Sequence, residues 1–270
     1  MSTTAAIATT GRPTTDRPAP LGPMLARQAI AQARMFVRTP AVSVISFAMP
    51  LILFLFFAVP SVGQPYLPGV DLGTFMLASF AAYAVSSVMV FNYGVTIAMD
   101  RGQRIDVLMR ASPMPGSIYL LARTITALAL GLVGLVVLMV VAAATGVRLP
   151  LETWVGMTLR LMLGSLPFIG LGFALAYLCS PSAAPAVANL LFLVLAFGSG
   201  MLVRVDQMPD FLRTISPYLP TYHYAQLAWG SIGAASEELW VSTAWLAGFA
   251  AVFFVVAAWA YRRESARKFA

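Results

Sequence analysis

LGTFMLASFAAYAVSSVMVFNYGVTIAMDRGQRIDVLMR, residues 72–110, joins a long uncharged run to the densest internal charge cluster of the chain. The run Leu72–Met99 contains no charged residue, and the cluster Asp100–Arg110 follows it directly. A helix of about 20 apolar residues crosses the roughly 30 Å of hydrocarbon in a bilayer. We therefore predict a membrane-spanning helix that ends at a charged surface.

Five further uncharged runs repeat this pattern along the chain. They are Ala41–Val59, Thr124–Val147, Leu161–Cys179, Pro185–Val203 and Leu239–Tyr261. Hydrophobic residues make up 60% of the chain and charged residues 10%, which leaves too little polar surface for a soluble protein. Strand-like alternation is absent, and helices satisfy their own backbone hydrogen bonds, as hydrocarbon requires. The prediction is an all-α membrane protein with six transmembrane helices, at about residues 41–59, 72–99, 118–147, 154–179, 185–203 and 239–261.

The basic residues predict how these spans are oriented. With six spans, both termini lie on the same side of the membrane, and Lys and Arg near helix ends are retained in the cytoplasm. Of the 17 Lys and Arg residues, those on the other side are Arg148, Arg160, Arg204 and Arg213. We therefore expect a multi-pass protein of the cell membrane with both termini cytoplasmic. The net charge of +7 then favours anionic lipid headgroups, rather than nucleic acid, as partners.

The chain outside the spans divides into short segments. Residues 1–20 are rich in Thr, Ala and Pro without an apolar core, which predicts a disordered tail. Residues 21–39 place Arg27, Arg34 and Arg38 on one helical face, which predicts an amphipathic helix in the membrane interface. An ordinary basic flank of the first span is the alternative. The six-span domain would occupy residues 40–263, and residues 264–270 would form a cytoplasmic tail.

The residue types limit the chemistry of this chain. Its single Lys, Lys268, does not follow Gly, so the sequence contains no phosphate-binding loop of the nucleotide-hydrolysing type. All ten acidic residues lie outside the uncharged runs, which removes the usual carboxylate of an ion-coupled carrier. One Cys and one His, Cys179 and His223, allow no disulfide within the chain and no Cys/His metal cluster. We predict no catalytic residue, no metal and no cofactor, and energy supplied by another subunit.

The loop Asp100–Ser117 carries the main candidate site. Its apolar residues recur at helical spacing among charges, and Ser112 and Pro113 end the pattern, which predicts a short amphipathic helix. Such a helix can place its apolar side in a partner's groove while its charges meet the rim. The candidate coupling residues are Asp100, Arg101, Gly102, Arg104, Ile105, Asp106, Leu108, Met109 and Arg110.

This loop resembles the coupling-helix region of the ABC transporter type-2 permease family, in which an acidic-Arg-Gly stretch leads to a Ser-Pro pair. The step Met49-Pro50-Leu51 and the segment Gln207–Pro220 are similar to the same family in the same order. The likeness covers about residues 21–263. It points to the drug-resistance exporter branch typified by daunorubicin permeases.

The resemblance implies a transport subunit that is not itself an enzyme. Two such permease chains, identical or homologous, would pair, and two ABC ATPase subunits carrying ATP and Mg²⁺ would bind their cytoplasmic loops. The exported substrate would be hydrophobic or amphipathic, such as a drug, an antibiotic or a lipid-like molecule. Export of a glycolipid or cell-surface polysaccharide is the alternative with the same architecture. An ATP-independent channel or a structural membrane component is the third interpretation.

Two further groups of residues are candidates within and outside the spans. Short helices are predicted in the outer leaflet between residues 211 and 229, where an exit gate and a simple interfacial anchor are equally supported. The residues of this group are Phe211, Tyr218, Tyr222, Tyr224 and Trp229. Asn92 and Asn189 are polar residues within spans, and they either join helices or line a substrate pathway.

Overall fold

The computed structural model describes residues 21–38, 48–103 and 116–267, and this part of the chain is mostly helical. In chain order its helices are α1 (Leu21–Arg38), α2 (Ala48–Ser61), α3 (Leu72–Gly102), α4 (Gly116–Ala144), α5 (Leu151–Gly164), α6 (Leu166–Leu178), α7 (Ala184–Gly198), α8 (Asp210–Ile215), α9 (Pro220–Trp229) and α10 (Leu239–Arg267). Short 3-10 turns lie at Val205–Gln207 and Ser216–Tyr218.

Four helical segments are long and apolar enough to cross a membrane. They are Leu72–Gly102, Ser117–Ala144, Leu151–Leu178 and Leu239–Glu264, which fall on the predicted second, third, fourth and sixth spans. The helices at the first and fifth spans, Ala48–Ser61 and Ala184–Gly198, are shorter. Residues 41–47, where the first span was expected to begin, lie outside the described residues. A helical multi-pass protein is therefore confirmed, while the count of six spans stays a prediction.

A short hairpin before α3 was not expected from the sequence. Strand β1 (Pro65–Leu67) pairs antiparallel with β2 (Val70–Asp71), and Gly69 in the turn has a φ of +79°. Strands of three and two residues carry no detectable alternation, which explains why the pattern missed them. The hairpin leads into α3, whose first turn is capped by Asp71: its carboxylate accepts hydrogen bonds from the backbone N–H and the hydroxyl of Thr74, at 2.9 and 2.6 Å.

Two of the four long helical segments depart from regular α-helix. In α3 the residues Met89–Val95 form a π-helical segment, a form often found at functional positions. The predicted fourth span breaks at Ser165 into α5 and α6. Pro167 follows two residues later and lacks a backbone N–H, so it is the physical reason for this break. The predicted kink is confirmed.

The helices differ in how much of their surface the protein covers. Most of α3 is buried, since α4, α6, α7 and α9 pack around it, whereas most of the apolar part of α10 is exposed. The outward residues of α10 are apolar, with Val252 and Val255 both more than half exposed. An exposed apolar surface on a long helix is expected where lipid is the solvent. Thus α3 forms the centre of the helix bundle and α10 lies at its lipid-facing edge.

Candidate functional site

The end of α3 connects three other helices through charged and aromatic side chains. We call this group the charged junction, and its members are Asp100, Arg101, Tyr119, Arg123, Tyr177 and Glu264. It lies directly before the loop that the sequence identified as the candidate coupling site. Two consecutive residues of α3 therefore organise the base of that loop.

Arg101 joins α3 to α6 and α10. Its guanidinium forms an ion pair with Glu264 and donates a hydrogen bond to the carbonyl of Ala176. Its Cζ lies 4.8 Å from the ring centroid of Tyr177, in position for a cation–π contact. The Arg101 and Glu264 side chains are 11% and 20% exposed, so the pair is largely removed from solvent. A largely buried pair of this kind is sensitive to the loss of either partner.

Asp100 joins α3 to α4 on the other side of the helix. Its carboxylate forms an ion pair with Arg123 and accepts a 2.5 Å hydrogen bond from the hydroxyl of Tyr119. Consecutive helical residues point about 100° apart, so Asp100 and Arg101 reach different neighbours. These two residues therefore attach the end of α3 to α4, α6 and α10.

The structure describes only part of the predicted coupling group. Asp100, Arg101 and Gly102 are the members it places, and a Cβ added at Gly102 would lie 2.8 Å from Cβ of Pro181. The other predicted coupling residues lie outside the described residues: Arg104, Ile105, Asp106, Leu108, Met109 and Arg110. The coupling role thus stays a prediction for all nine residues.

Helix α1 forms where the sequence predicted an amphipathic helix, and it packs against α4. Arg27 and Arg34 are exposed on it. Arg38 ends the helix, and its side chain lies outside the described part of the structure. Gln32 is buried, and its amide has no hydrogen-bond partner among the described residues. The helix itself is confirmed, while its position in the membrane interface stays a prediction.

The short helices predicted between residues 211 and 229 are present as α8, a 3-10 turn and α9. The aromatic residues of the predicted gate do not share one surface. Phe211 and Tyr218 are 63% and 65% exposed, whereas Tyr222, Tyr224 and Trp229 on α9 are buried. Helix α9 therefore packs inside the bundle, and the exposed aromatic residues lie before it.

Tyr224 stabilises the break between α5 and α6. At this break the N–H of Ser165 bonds the carbonyl of Met162 instead of that of Leu161. The hydroxyl of Tyr224 donates a 2.7 Å hydrogen bond to the carbonyl of Leu161, and its ring packs on Phe168. Helix α9 thus supplies the hydrogen bond that the interrupted helix lacks.

Replacing Tyr224 with Phe is expected to destabilise the protein by about 1–2 kcal/mol, because a buried carbonyl loses its donor. The change should appear as a lower melting temperature of the purified protein in detergent. Tyr218→Phe is the matched control, since Tyr218 is largely exposed, and it should leave the melting temperature unchanged. Equal melting temperatures for Tyr224→Phe and the parent protein would contradict the assigned role.

His223 on α9 is the single histidine of the chain and is buried. Its ring stacks on Trp245, with 5.2 Å between centroids, and Nδ1 lies 3.3 Å from Oε2 of Glu237. Neither ring nitrogen makes a well-aligned hydrogen bond within the described ranges. Burial lowers the pKa of His223 below its ordinary value, and the charge of Glu237 opposes this shift. The stacked ring therefore serves as a packing group between α9 and α10.

A cavity of about 350 Å³ lies between α2, α3 and the end of α7. Its lining is mostly apolar and includes Phe75, Met76, Phe80, Phe197 and Met201, with Arg204 at one side. The hydroxyl of Ser79 also lines it and accepts a 2.9 Å hydrogen bond from the indole of Trp229. An apolar cavity with few polar groups suits a hydrophobic or amphipathic ligand.

The two asparagines predicted for a substrate pathway lie elsewhere. Neither Asn92 nor Asn189 is among the residues that line this cavity. The side-chain amide nitrogen of Asn92 is buried in the π-helical segment and has no hydrogen-bond partner among the described residues, while Asn189 is exposed. Their role in a pathway stays a prediction.

The long apolar helices, the exposed apolar surface and the charged helix ends define a multi-pass membrane protein. Residues 65–259 match the family described as ABC-2 family transporter protein, so the chain belongs to that family. The chain is also 25% identical over 245 residues to the Bacillus subtilis (strain 168) protein named "Putative transport permease YvfS". This similarity covers 90% of the chain and 99% of the relative. The predicted ABC-2 permease family is confirmed, while the drug-resistance branch stays a prediction. Membership of the family implies an ABC ATPase partner.

Sequence reasoning missed most members of the charged junction. Arg123 and Glu264 counted only toward the orientation of the spans and the boundary of the tail, and no pattern singled out Tyr119 or Tyr177. The available signal was a charged residue at a helix end that carries the opposite charge of Asp100 or Arg101.

Among the described residues, no group of three or more His, Cys, Asp or Glu side chains could hold a metal ion.

Proposed function

We propose that this chain is the membrane-spanning subunit of an ATP-driven exporter, and that the charged junction couples it to a separate ATPase. The observation that carries this proposal is the position of the junction at the end of α3, immediately before the loop Asp100–Arg110. A partner that pushes or pulls this loop displaces α3 first. Because Asp100 and Arg101 hold α4, α6 and α10, the displacement reaches the outer helices of the bundle as well.

The proposed division of labour follows from what the chain contains. The ATPase binds ATP and Mg²⁺ and performs the hydrolysis, while this chain supplies the pathway. The apolar residues Ile105, Leu108 and Met109 would enter a groove of the ATPase, and the surrounding charges, Arg104, Asp106 and Arg110, would meet its rim. Two ATPase subunits and a second permease chain, identical or homologous, complete the proposed assembly. Both termini then lie in the cytoplasm.

The cavity between α2, α3 and α7 supports the substrate class. Its lining is aromatic and Met-rich with one guanidinium at its side, so we propose a hydrophobic or amphipathic substrate such as a drug, an antibiotic or a lipid-like molecule. The partial exposure of α2 and α7 beside the cavity would let such a molecule enter from lipid. The exposed Phe211 and Tyr218 are then candidates for the exit side, with α9 holding them against the bundle.

Export of a glycolipid or cell-surface polysaccharide is a second candidate. It shares the charged junction and the loop, but it needs a wide polar passage for the sugar chain. The cavity between α2, α3 and α7 has a volume of about 350 Å³ and a mostly apolar lining, which favours the first candidate. A channel that works without ATP would need neither the junction nor the loop.

Replacing Leu108 with Asp is expected to reduce copurification of the ATPase at least about tenfold, because a carboxylate cannot be buried in an apolar groove without a large desolvation cost. The tagged chain would be purified from its native membrane in mild detergent. Mass spectrometry would identify the accompanying ATPase, and an activity assay would quantify it in the eluate.

Leu151→Asp is the matched control. Leu151 is 77% exposed at the start of α5, whereas Arg101 contacts the far end of the following helix, α6. It should leave the amount of ATPase unchanged. Normal ATPase association in Leu108→Asp would reject the coupling role of the loop. Absence of any ATPase from the unmodified protein, under conditions that preserve other complexes, would favour the channel or structural interpretation.

A further inference from the structure

A second apolar cavity, of about 280 Å³, opens between α5 and α10 and is separate from the proposed substrate cavity. The cavity forms because α5 and α6 run in different directions on either side of the break at Ser165. Helix α6 packs along α10, whereas α5 makes at most weak contact with α10. Leu227 of α9 forms part of the lining. Leu163 and Leu166 at its edge are 73% and 47% exposed, so the cavity is an open groove on the outer surface of the bundle.

Arg160 lines this groove and lacks a charged partner among the described residues. Its guanidinium makes one 3.4 Å hydrogen bond, to the hydroxyl of Ser231, and packs beside Gly230. It forms no ion pair within the described ranges. A guanidinium has five N–H donors in a planar fork, so most of its hydrogen-bonding capacity remains available in the groove.

The position of Arg160 along its helix places the guanidinium near the edge of the hydrocarbon. Leu178, at the other end of this helix pair, lies 18 residues further along the chain, which corresponds to at most about 27 Å at 1.5 Å per residue because the pair bends at Ser165. The hydrocarbon layer is about 30 Å thick. Trp240, which is 68% exposed, directly follows Leu239 of the groove lining at the start of α10, and exposed Trp marks the membrane interface. An arginine at this depth can extend its guanidinium to the level of the lipid phosphates.

We propose that this groove binds a phospholipid, with the phosphate on Arg160 and part of one acyl chain along Leu163, Leu246 and Ala250. Charge complementarity selects the headgroup, because the arginine fork matches phosphate oxygens and the groove offers no carboxylate in its lining. The apolar side chains of the lining favour a lipid acyl chain. The bound lipid would fill the space between α5 and α10 at the helix break. The site is independent of the proposed exporter activity.

Native mass spectrometry of the delipidated full-length chain can test this site. The probes are phosphatidylglycerol, a diacylglycerol with the same acyl chains, and inorganic phosphate. Phosphatidylglycerol should bind the unmodified protein at least about tenfold more tightly than diacylglycerol, since charge-assisted hydrogen bonds to the phosphate are lost in the latter. Arg160→Gln should weaken phosphatidylglycerol binding by a similar factor. Excess inorganic phosphate should not displace the lipid.

Three variants sharpen the interpretation. Ala247→Trp fills the groove without touching the charge and should also lower phosphatidylglycerol binding. Arg160→Lys retains the charge but loses the fork, and its affinity should fall between those of the parent and Arg160→Gln. Arg148→Gln is the matched control, because Arg148 is an exposed arginine outside the groove, and it should bind as the parent does. Unchanged binding in both Arg160→Gln and Ala247→Trp, equal binding of diacylglycerol, or displacement by inorganic phosphate would overturn the proposal.

Discussion

Replacing Arg101 with Glu is expected to destabilise the protein by about 3–5 kcal/mol, because the change leaves Glu264 facing a like charge in a largely buried position. The carbonyl of Ala176 also loses its donor, and Tyr177 loses its cation. For a chain of this size the melting temperature should fall by roughly 10 °C. Differential scanning fluorimetry of the detergent-purified protein would measure the fall.

A double-mutant cycle separates the ion pair from the other contacts of Arg101. Arg101→Ala and Glu264→Ala should be non-additive, with a coupling energy of about 0.5–3 kcal/mol. Arg148→Ala is the control for loss of an exposed arginine and should change the melting temperature little. If Arg101→Ala and Glu264→Ala act additively, the pair does not hold α3 to α10.

The same variant distinguishes coupling from simple attachment of the ATPase. Arg101 contacts the ends of α6 and α10, so we expect Arg101→Glu still to copurify with the ATPase. ATP turnover of the complex should nevertheless fall, because the movement of the loop no longer reaches α6 and α10. Leu108→Asp should do the reverse and lose the ATPase while retaining the parent melting temperature. If both variants lose the ATPase, or both retain it with the same ATP turnover, the charged junction and the loop do not have separate roles.

The spans were predictable because hydrocarbon imposes a simple rule on the sequence. A run such as Leu72–Met99 admits no charge over a length that must cross the membrane, and any sequence that obeys this rule is recognisable without knowing its neighbours. The break before Pro167 was equally local, since it depends on a missing N–H. The family resemblance also rested on local residues, mainly those of the loop after α3.

The charged junction was not predictable in the same way, because its contacts join distant parts of the chain. Arg101 and Glu264 are 163 residues apart in sequence, and Ala176 lies 75 residues from Arg101. Charge patterning predicted that such residues lie on the same side of the membrane. Several arginines lie on that side, so the pattern does not tell which of them pairs with Glu264. The particular partner depends on which helices pack together, and apolar runs of similar composition leave that packing order open. The burial of Tyr224 on α9 was hidden for the same reason.

Gly94 lies at a close approach of α3 and α6, and replacing it with any larger residue is expected to destabilise the bundle strongly. A Cβ at this position would lie 2.6 Å from both Cα and the carbonyl oxygen of Gly172. Those atoms belong to the backbone, so no rotamer change can relieve the clash. The two helices would have to separate inside the bundle. This contact lies in the π-helical segment of α3, so separation would also change the path of the helix that ends at the charged junction.

A graded series of alanine variants tests this contact. Gly94→Ala should cost about 3 kcal/mol, at the upper end of overpacking effects, and reduce folded protein in the membrane. Gly172→Ala should cost less, because its Cβ would meet the carbonyl oxygen of Met89 at 3.0 Å. Gly248→Ala is the matched control, since nothing lies within 4 Å of its Cβ, and it should raise helix stability by up to about 1 kcal/mol. The order of melting temperatures, with Gly248→Ala highest and Gly94→Ala lowest, is the expected result. Equal values for Gly94→Ala and Gly248→Ala would mean that α3 and α6 tolerate separation, and α3 could then move without carrying α6 with it.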